Sequence, residues 1–493
     1  MEGLFDCVES NEVVLSAQDA MFLFVNHPLV HFFENKEGSS RFMPSDILQA
    51  SLYTALKEFP LLLGHIRDGP NGLAKVVVDK YDLNLPEFVE SESSTHYQQL
   101  RDTQYEWSTW PRGVATVGPM TTPNKHGIIK LLNVHVIRLH NNSGLILFCN
   151  IPHFILDGIG YYDFLNHWAA LCRASINPES AAEVGHTLYI FDRAFVNERL
   201  QGQRRPLEKQ VVDMLTTSSL TSMALNLLSL SSQLRLLSLG VNVDRGQAHF
   251  FRISRESLDK LLNLASARTN GDGTDISTYA LLAAVVGTAI CRAHSAADSK
   301  RGFLVKAAFA TAATICNMLG ARPSQFTLVN IVHAHHCLEL DPGCCYIGNP
   351  VILHTTQAPA MRLALAAGDE SLAEVAAQVS LAVGSIDVSL VGEFVDVLAA
   401  NPSAYLRYAV YMGTTANVLT VIDERKYNTS GVDFGDGGPA WVSGIPWHVP
   451  NFVAFFTSPA KPGDVDIYVS LRPRVAEALI QDRFFAEYAQ FLY

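Results

Sequence analysis

The stretch NIPHFILDGIGYYDF, residues 150–164, sets a histidine and an aspartate four apart inside an otherwise apolar run. His153 has chemistry to offer, because a neutral imidazole near its usual pKa is the best general base at physiological pH. Asp157 reads as the residue that holds the loop, by accepting backbone or arginine hydrogen bonds, with no need to touch a substrate. Gly158 follows and lets the backbone turn. The His-x-x-x-Asp-Gly spacing by itself is a modest signal. A second stretch, VDFGDGGPAW at 432–441, carries Gly435, Gly437, Gly438 and Pro439 and reads as a tight loop. Its Asp433-Phe434-Gly435 triplet is not that of a protein kinase, since no Gly-rich loop with an H-R-D catalytic loop precedes it. A third stretch, VHAHH, contains His333, His335 and His336. In a strand, 333 and 335 share a face, but no third ligand is evident, so core or site-lining histidines are favoured and no metal is expected.

These side chains need elements to position them. Residues 12–30, opening with VVLSAQDAMF, read as strand-like. Residues 45–58 have a helical spacing, with Ser45 as N-cap and Ile47, Leu48, Leu52 and Leu56 on one face. Pro60 ends that helix and Gly64 leads into a strand. Residues 131–150 read as a β-hairpin turning at NNSG, and its second arm, LILFCNI, delivers His153 at a strand end, where a rigid scaffold can face a cleft. A helix is expected over about 159–173. Residues 176–246 change in character and read as a crossover, partly helical. Beyond it AHFFRI (248–253) is a strand, SRESLDKLLNLASA a helix, TNGDGTD a loop, and 276–293 a helix apolar on most sides. The division expected is an N-terminal domain at 1–185, a linker at 186–246 and a C-terminal domain at 247–493, two α/β units of similar size.

Composition narrows the classes of function. The 493 residues are 48% hydrophobic and 17% charged, an ordinary globular balance. A net charge of -12 disfavours nucleic acid as a partner, although a local pocket can still carry the opposite sign. Eight scattered cysteines without a C-x-x-C pair, Cys344 and Cys345 being adjacent, read as free thiols in a reducing compartment. The N-terminus has no basic region ahead of an apolar stretch, so no signal peptide is expected. No apolar run reaches about 18 residues, so no transmembrane segment is expected; the nearest approach is 223–240. The chain reads as cytoplasmic.

Taken together, HFILDG at 153–158 and DFGDGGP at 433–439 resemble the two signatures of the BAHD acyl-CoA-dependent acyltransferases, H-x-x-x-D-G and D-F-G-W-G-x-P. The resemblance runs along nearly the whole chain. VVLSAQDAMF is similar to the family's opening strand, SLYTALKEFPLLLGHI to its L-x-x-x-L-x-x-F-P-x-L-A-G-R-L segment, and DGIGYYDFLNHWA to D-G-x-S-x-x-x-F-L-x-x-W-A. DISTYALLAAVVGTAICRA resembles the helix that opens the second domain's core, and YIGNPV resembles Y-x-G-N. The resemblance implies a chloramphenicol-acetyltransferase-like fold, mixed α/β, with two domains each a mixed sheet flanked by helices. It implies a channel between the domains with His153 at its middle, acyl-CoA entering from one face and a small-molecule acceptor from the other. Asp433, Phe434, Gly435, Asp436 and Gly437 would form a structural loop toward the CoA side, in a segment near 415–450 that packs back toward the first domain. His335 and Asn349 would line the channel. Three positions depart from the family pattern: Asp436 replaces a tryptophan, Gly438 an often basic residue, and His335 an arginine that often pairs with the motif aspartate. Asp157 is then left without its expected partner unless His335, His336 or another cation substitutes. For Asp436 a place in solvent, or a hydrogen bond to its own Gly-rich turn, is expected.

The chemistry implied is direct transfer. His153 would take the proton from an acceptor hydroxyl or amine as it attacks the thioester carbonyl, and its imidazolium would protonate the departing CoA thiolate. The acceptor expected is a secondary metabolite, acyl-CoA is a co-substrate with no permanently bound cofactor, and the chain is expected to act as a monomer. The other reading is a cyclase or isomerase that uses His153 on the same scaffold without CoA.

Overall fold

The computed structural model describes residues 7–23, 25–216, 232, 246–268, 276–299, 325–359, 369–401, 404–405, 407–408, 417–459 and 461–493. Two sheets organise them. The first has five strands in the order Trp441–Gly444, Asn26–Glu34, Gly144–Pro152, Asn133–Arg138, Glu87–Glu92. Its neighbours are antiparallel except the last pair, which is parallel. The second has seven strands in the order Val351–Pro359, Gln325–His333, Val418–Asp423, Phe452–Thr457, Val465–Leu471, Gln247–Ile253, Ala489–Phe491. Parallel pairs join Gln325–His333 to Val418–Asp423, and that strand to Phe452–Thr457. The architecture is mixed α/β. Trp441–Gly444, from the C-terminal half of the chain, forms an edge of the first sheet, Trp441 lying opposite Phe32.

The hairpin forms as its alternation requires. Asn133–Arg138 and Gly144–Pro152 pair around a turn at His140–Asn142. Every residue of Gly144–Pro152 is buried, which explains its uninterrupted apolar character. The helix Gly158–Ile176 follows, and it packs on the helix Ser45–Ala55 through Trp168, whose Nε1 donates to the Leu48 carbonyl at 3.0 Å. The helix Thr278–Ser299 covers the second sheet, with Leu282, Ala283, Ala284, Val285 and Val286 fully buried. Among the described residues it is the one helix long and apolar enough to cross a membrane, and most of it is buried inside the protein.

Two expectations are corrected. VVLSAQDAMF is not one strand: a strand at Asn11–Val14 gives way to a one-turn helix at Ala17–Ala20. A reciprocal cap causes the break, with Asp19 N donating to Ser16 Oγ at 3.0 Å and Ser16 N to Asp19 Oδ2 at 2.9 Å. Ser45 is not the N-cap of its helix; Pro44 holds that position without a side-chain cap. Ser45 Oγ instead bonds Glu90 and accepts from Arg138 Nη2 at 2.7 Å. The region 176–246, expected to be a partly helical crossover, has helices at Ala194–Arg199 and Lys209–Leu215 and also a short strand at Leu188–Ile190. Its Ser/Leu-rich part, apart from Ser232, and the whole TNGDGTD loop lie outside the described residues.

Candidate active site

Strand ends converge on His153. Gly144–Pro152 stops one residue before it, and the His153 N–H donates to the Val25 carbonyl at 2.9 Å, at the start of the neighbouring strand. Gln325–His333 ends at His333 in the other sheet. The loop between Tyr346 and Val351 supplies Asn349, of which 1% is exposed.

Asn349 determines which imidazole tautomer His153 adopts. Its Nδ2 donates to Asp19 Oδ1 at 2.9 Å and to the His153 carbonyl at 2.8 Å, both of them pure acceptors. The amide is therefore oriented with Oδ1 toward His153, and Oδ1 lies 3.0 Å from Nδ1. An amide oxygen only accepts, so Nδ1 carries the proton and Nε2 keeps its lone pair. Asp19 is in turn anchored by Arg193, whose Nε donates to Asp19 Oδ2 at 2.8 Å. Arg193 also donates to the carbonyls of Ile155, at 2.7 Å, and of Ile347. One buried guanidinium thus ties together the loop after His153, the loop carrying Asn349 and the carboxylate between them.

Rings pack on the imidazole. Phe22 stacks on His153 at 4.1 Å between centroids and His27 at 5.2 Å, both within about 11° of parallel. Burial, the largest influence, lowers the pKa of His153 below that of a free histidine, although its own backbone, Asp157 and Asn349 pull the other way. Burial also drives His27 down to about 3, followed by the effect of His153.

Asp157 turns away from this face. Its Oδ1 accepts from the N–H groups of Ile159 and Gly160, both at 3.1 Å, capping the helix Gly158–Ile176. Its Oδ2 accepts from His333 Nδ1 at 2.8 Å, and His333 Nε2 meets the Tyr427 hydroxyl at 2.9 Å. The partner on Asp157 is therefore His333, a group the sequence left open as another cation without naming it. His335 Nδ1 lies 3.7 Å from the same oxygen, farther than His333 Nδ1. His336 faces the Ile386 carbonyl instead, at 3.4 Å. Burial works to raise the Asp157 pKa, but His335, His333 and the helix N–H groups together hold it far below the usual carboxylate range. One ligand atom from each of Asp157, His333 and His335 comes within 4.8 Å of the others. His333 is nonetheless satisfied on both nitrogens by Asp157 and Tyr427. Gly158 has a negative φ, so its value is space rather than turning: a Cβ there would lie 2.2 Å from the Tyr427 ring.

The second signature sits elsewhere. Asp433 Oδ1 accepts from the N–H groups of Gly435, at 2.8 Å, and Gly437, at 2.9 Å, and both glycines have positive φ. Phe434 is fully buried, edge-on to Trp168 at 4.9 Å and Phe33 at 5.9 Å. Asp436 does not bond its own turn. It is exposed, and its Oδ2 accepts from the Met43 N–H at 2.9 Å, which ties the loop to the chain just before the helix Ser45–Ala55.

A family model described as Transferase family matches residues 7–484. The chain belongs to that family, the BAHD type of acyltransferase. No curated protein sequence matches it significantly. Among solved structures it is similar to F. graminearum TRI101 complexed with coenzyme A and T-2 mycotoxin, at 15% identity and a TM-score of 0.71, covering 98% of this chain and 100% of that one. F. sporotrichioides TRI101 complexed with coenzyme A and T-2 is similar at 13% identity and a TM-score of 0.68, with the same coverage. Vinorine synthase is similar at 15% identity and a TM-score of 0.60, covering 98% of each chain. At these identities the likenesses establish the fold.

Proposed function

We propose that the protein transfers an acyl group from acyl-CoA to a hydroxyl or amine of a small-molecule acceptor, with His153 as general base. The observation that carries this reading is the His153–Asn349–Asp19–Arg193 relay. It presents Nε2 as the lone-pair nitrogen and holds the ring against rotation, while burial favours the neutral imidazole. Nε2 takes the acceptor's proton as its oxygen or nitrogen attacks the thioester carbonyl. The C–S bond breaks, and the proton passes to the thiolate, releasing CoA–SH. Imidazole assistance of this kind is worth about 10² to 10⁴ in rate, with positioning supplying more. Support for CoA as the donor comes from family membership and from the coenzyme A in the similar TRI101 structures. The T-2 mycotoxin bound in both of them supports a secondary-metabolite acceptor. Asp157 acts through folding, capping one helix and joining the two sheets through His333. The protein is read as a cytoplasmic monomer, and the acyl transfer needs no metal.

The test is linkage. A folded state that binds acetyl-CoA gains about 2.7 kcal/mol at a hundredfold excess over the dissociation constant, so the melting temperature rises with ligand concentration. No rise with acetyl-CoA or a longer acyl-CoA would remove the donor from this reading.

A further inference from the structure

A cavity of about 710 Å³ opens in the seam between the two halves of the chain. The first half contributes Lys36, just after the strand Asn26–Glu34, and Arg101 of the helix Tyr97–Asp102. The second contributes Arg252 of the strand Gln247–Ile253, and Lys461 of the turn between Phe452–Thr457 and Val465–Leu471. Asp436 and Trp441 also line it. Two measures set it apart from His153. Asn26 pairs with Pro152, next to His153, whereas Glu34, on the cavity wall, is at the other end of the same buried strand, about 25 Å away. In the other sheet, the strands carrying His333 and Arg252 are four inter-strand spacings apart, about 19 Å.

The charges on its wall are unequally engaged. Four cations face two carboxylates, on a chain whose net charge is -12. Glu34 is bonded to Arg101, and Asp436 accepts from the Met43 N–H at 2.9 Å. Arg252 gives Nε and Nη2 to Asp466, at 2.6 and 3.2 Å, and its Nη1 has no partner among the described residues. Lys36 and Lys461 are exposed and have no carboxylate partner among the described residues. Trp441 offers little further surface, since it stacks on Tyr105 at 5.2 Å and lies 5.7 Å from the Arg252 guanidinium. Asp436 stands where the acyltransferase signature has a tryptophan, and its carboxylate leaves open the volume that an indole would take. A concave wall of unneutralised cations concentrates anions, even on an acidic protein.

We propose that this cavity binds a small-molecule polyanion of the oligophosphate class, at a site distinct from the one around His153. A lone charge would engage one lysine only. An anion with two or more phosphate groups offers a partner to Lys36 and to Lys461, one from each half, and the planar guanidinium groups of Arg101 and Arg252 match phosphate oxygens. The bound anion ties the two halves together and so stabilises the folded chain. The site does not depend on the acyl-transfer reading.

The probe is pyrophosphate, titrated calorimetrically into the full chain, with sodium chloride of the same ionic strength as control. Pyrophosphate is expected to bind, and to raise the melting temperature where chloride does not. Lys36→Ala combined with Lys461→Ala removes two charge-assisted contacts and should weaken binding at least about tenfold. Asp436→Asn keeps the side-chain volume and an acceptor for the Met43 N–H while removing a negative charge from the wall, so it should tighten binding. Lys260→Ala, on the helix Arg255–Arg268 and outside the cavity, should leave binding unchanged. Melting temperatures in chloride show that the variants are folded. No binding by the wild type, or binding indifferent to the lysine pair and to Asp436, overturns the site. Displacement of pyrophosphate by acetyl-CoA also overturns it, because the anion then occupies the donor path. Acetyl-CoA melting shifts in the same samples keep the two readings apart. A shift without pyrophosphate binding defeats the cavity site alone, and pyrophosphate binding without a shift defeats the acyl-transfer reading alone.

Discussion

At the scale of residues, the decisive feature is the amide that fixes the base. His153 can take a proton only while it is neutral, and burial has lowered its pKa below that of a free histidine. A lowered pKa means that the protonated, inactive form appears later as the solution is acidified. The acid limb of kcat/KM is therefore expected below about pH 6.5, and activity is lost as pH falls through the folded-state value. A limb at or above 6.5, measured under saturating acyl-CoA, would show that His153 is not the titrating base. His153 was legible from its sequence because His-x-x-x-Asp-Gly follows a run that could only be a buried strand. Asn349 and Asp19 were present in quoted stretches, YIGNPV and VVLSAQDAMF, but their joint role was not legible. They lie 330 positions apart, and only the folded chain brings Asn349 Nδ2 onto Asp19 Oδ1. His333 was hidden for a different reason. Among three histidines in VHAHH, the spacing shows which share a face but not which one reaches Asp157.

At the scale of elements, Gly158 is where the helix Gly158–Ile176 lets the second sheet approach. A methyl group there would meet the Tyr427 ring at 2.2 Å, and that ring is held by His333 and stacked on Tyr162. Gly158→Ala is expected to destabilise by about 1 to 3 kcal/mol, because a packed ring has to move. Tyr427→Ala makes room for the methyl, so the double variant should lose less than the sum of the two singles. Strictly additive losses in urea denaturation would show that the two residues do not touch. Most elements were readable from apolar period and turn residues, as the hairpin around residues 133–152 illustrates. The one-turn helix at Ala17–Ala20 was not, because a four-residue Ser-x-x-Asp cap is too short to disturb an alternating pattern. Likewise Ser45 has a capping residue's chemistry, but Arg138 and Glu90 claim its hydroxyl from other elements.

At the scale of the whole molecule, the first sheet carries an acid liability. His27 and His31 both lie in Asn26–Glu34, and burial, the largest cause in each, lowers both to about 3. In the unfolded chain they take up protons as pH falls through about 6.5, while in the folded chain they stay neutral. Stability is thus fully present above about 6.5 and is lost on the way down toward 3, by about 1.4 kcal/mol per pH unit for each histidine. Urea midpoints at pH 7 and 5 should differ accordingly, and His31→Leu should make the slope shallower; a flat profile would show that these rings are solvated. The central claim, that this fold moves acyl groups from CoA with His153 as base, is tested most directly with water standing in for the acceptor. The measurement is the release of CoA thiol from acetyl-CoA by the wild type and by folded His153→Ala. The account predicts slow release by the wild type and a loss of at least about 10² in the variant. Equal release by both proteins would contradict it, as would no release by the wild type from any acyl-CoA.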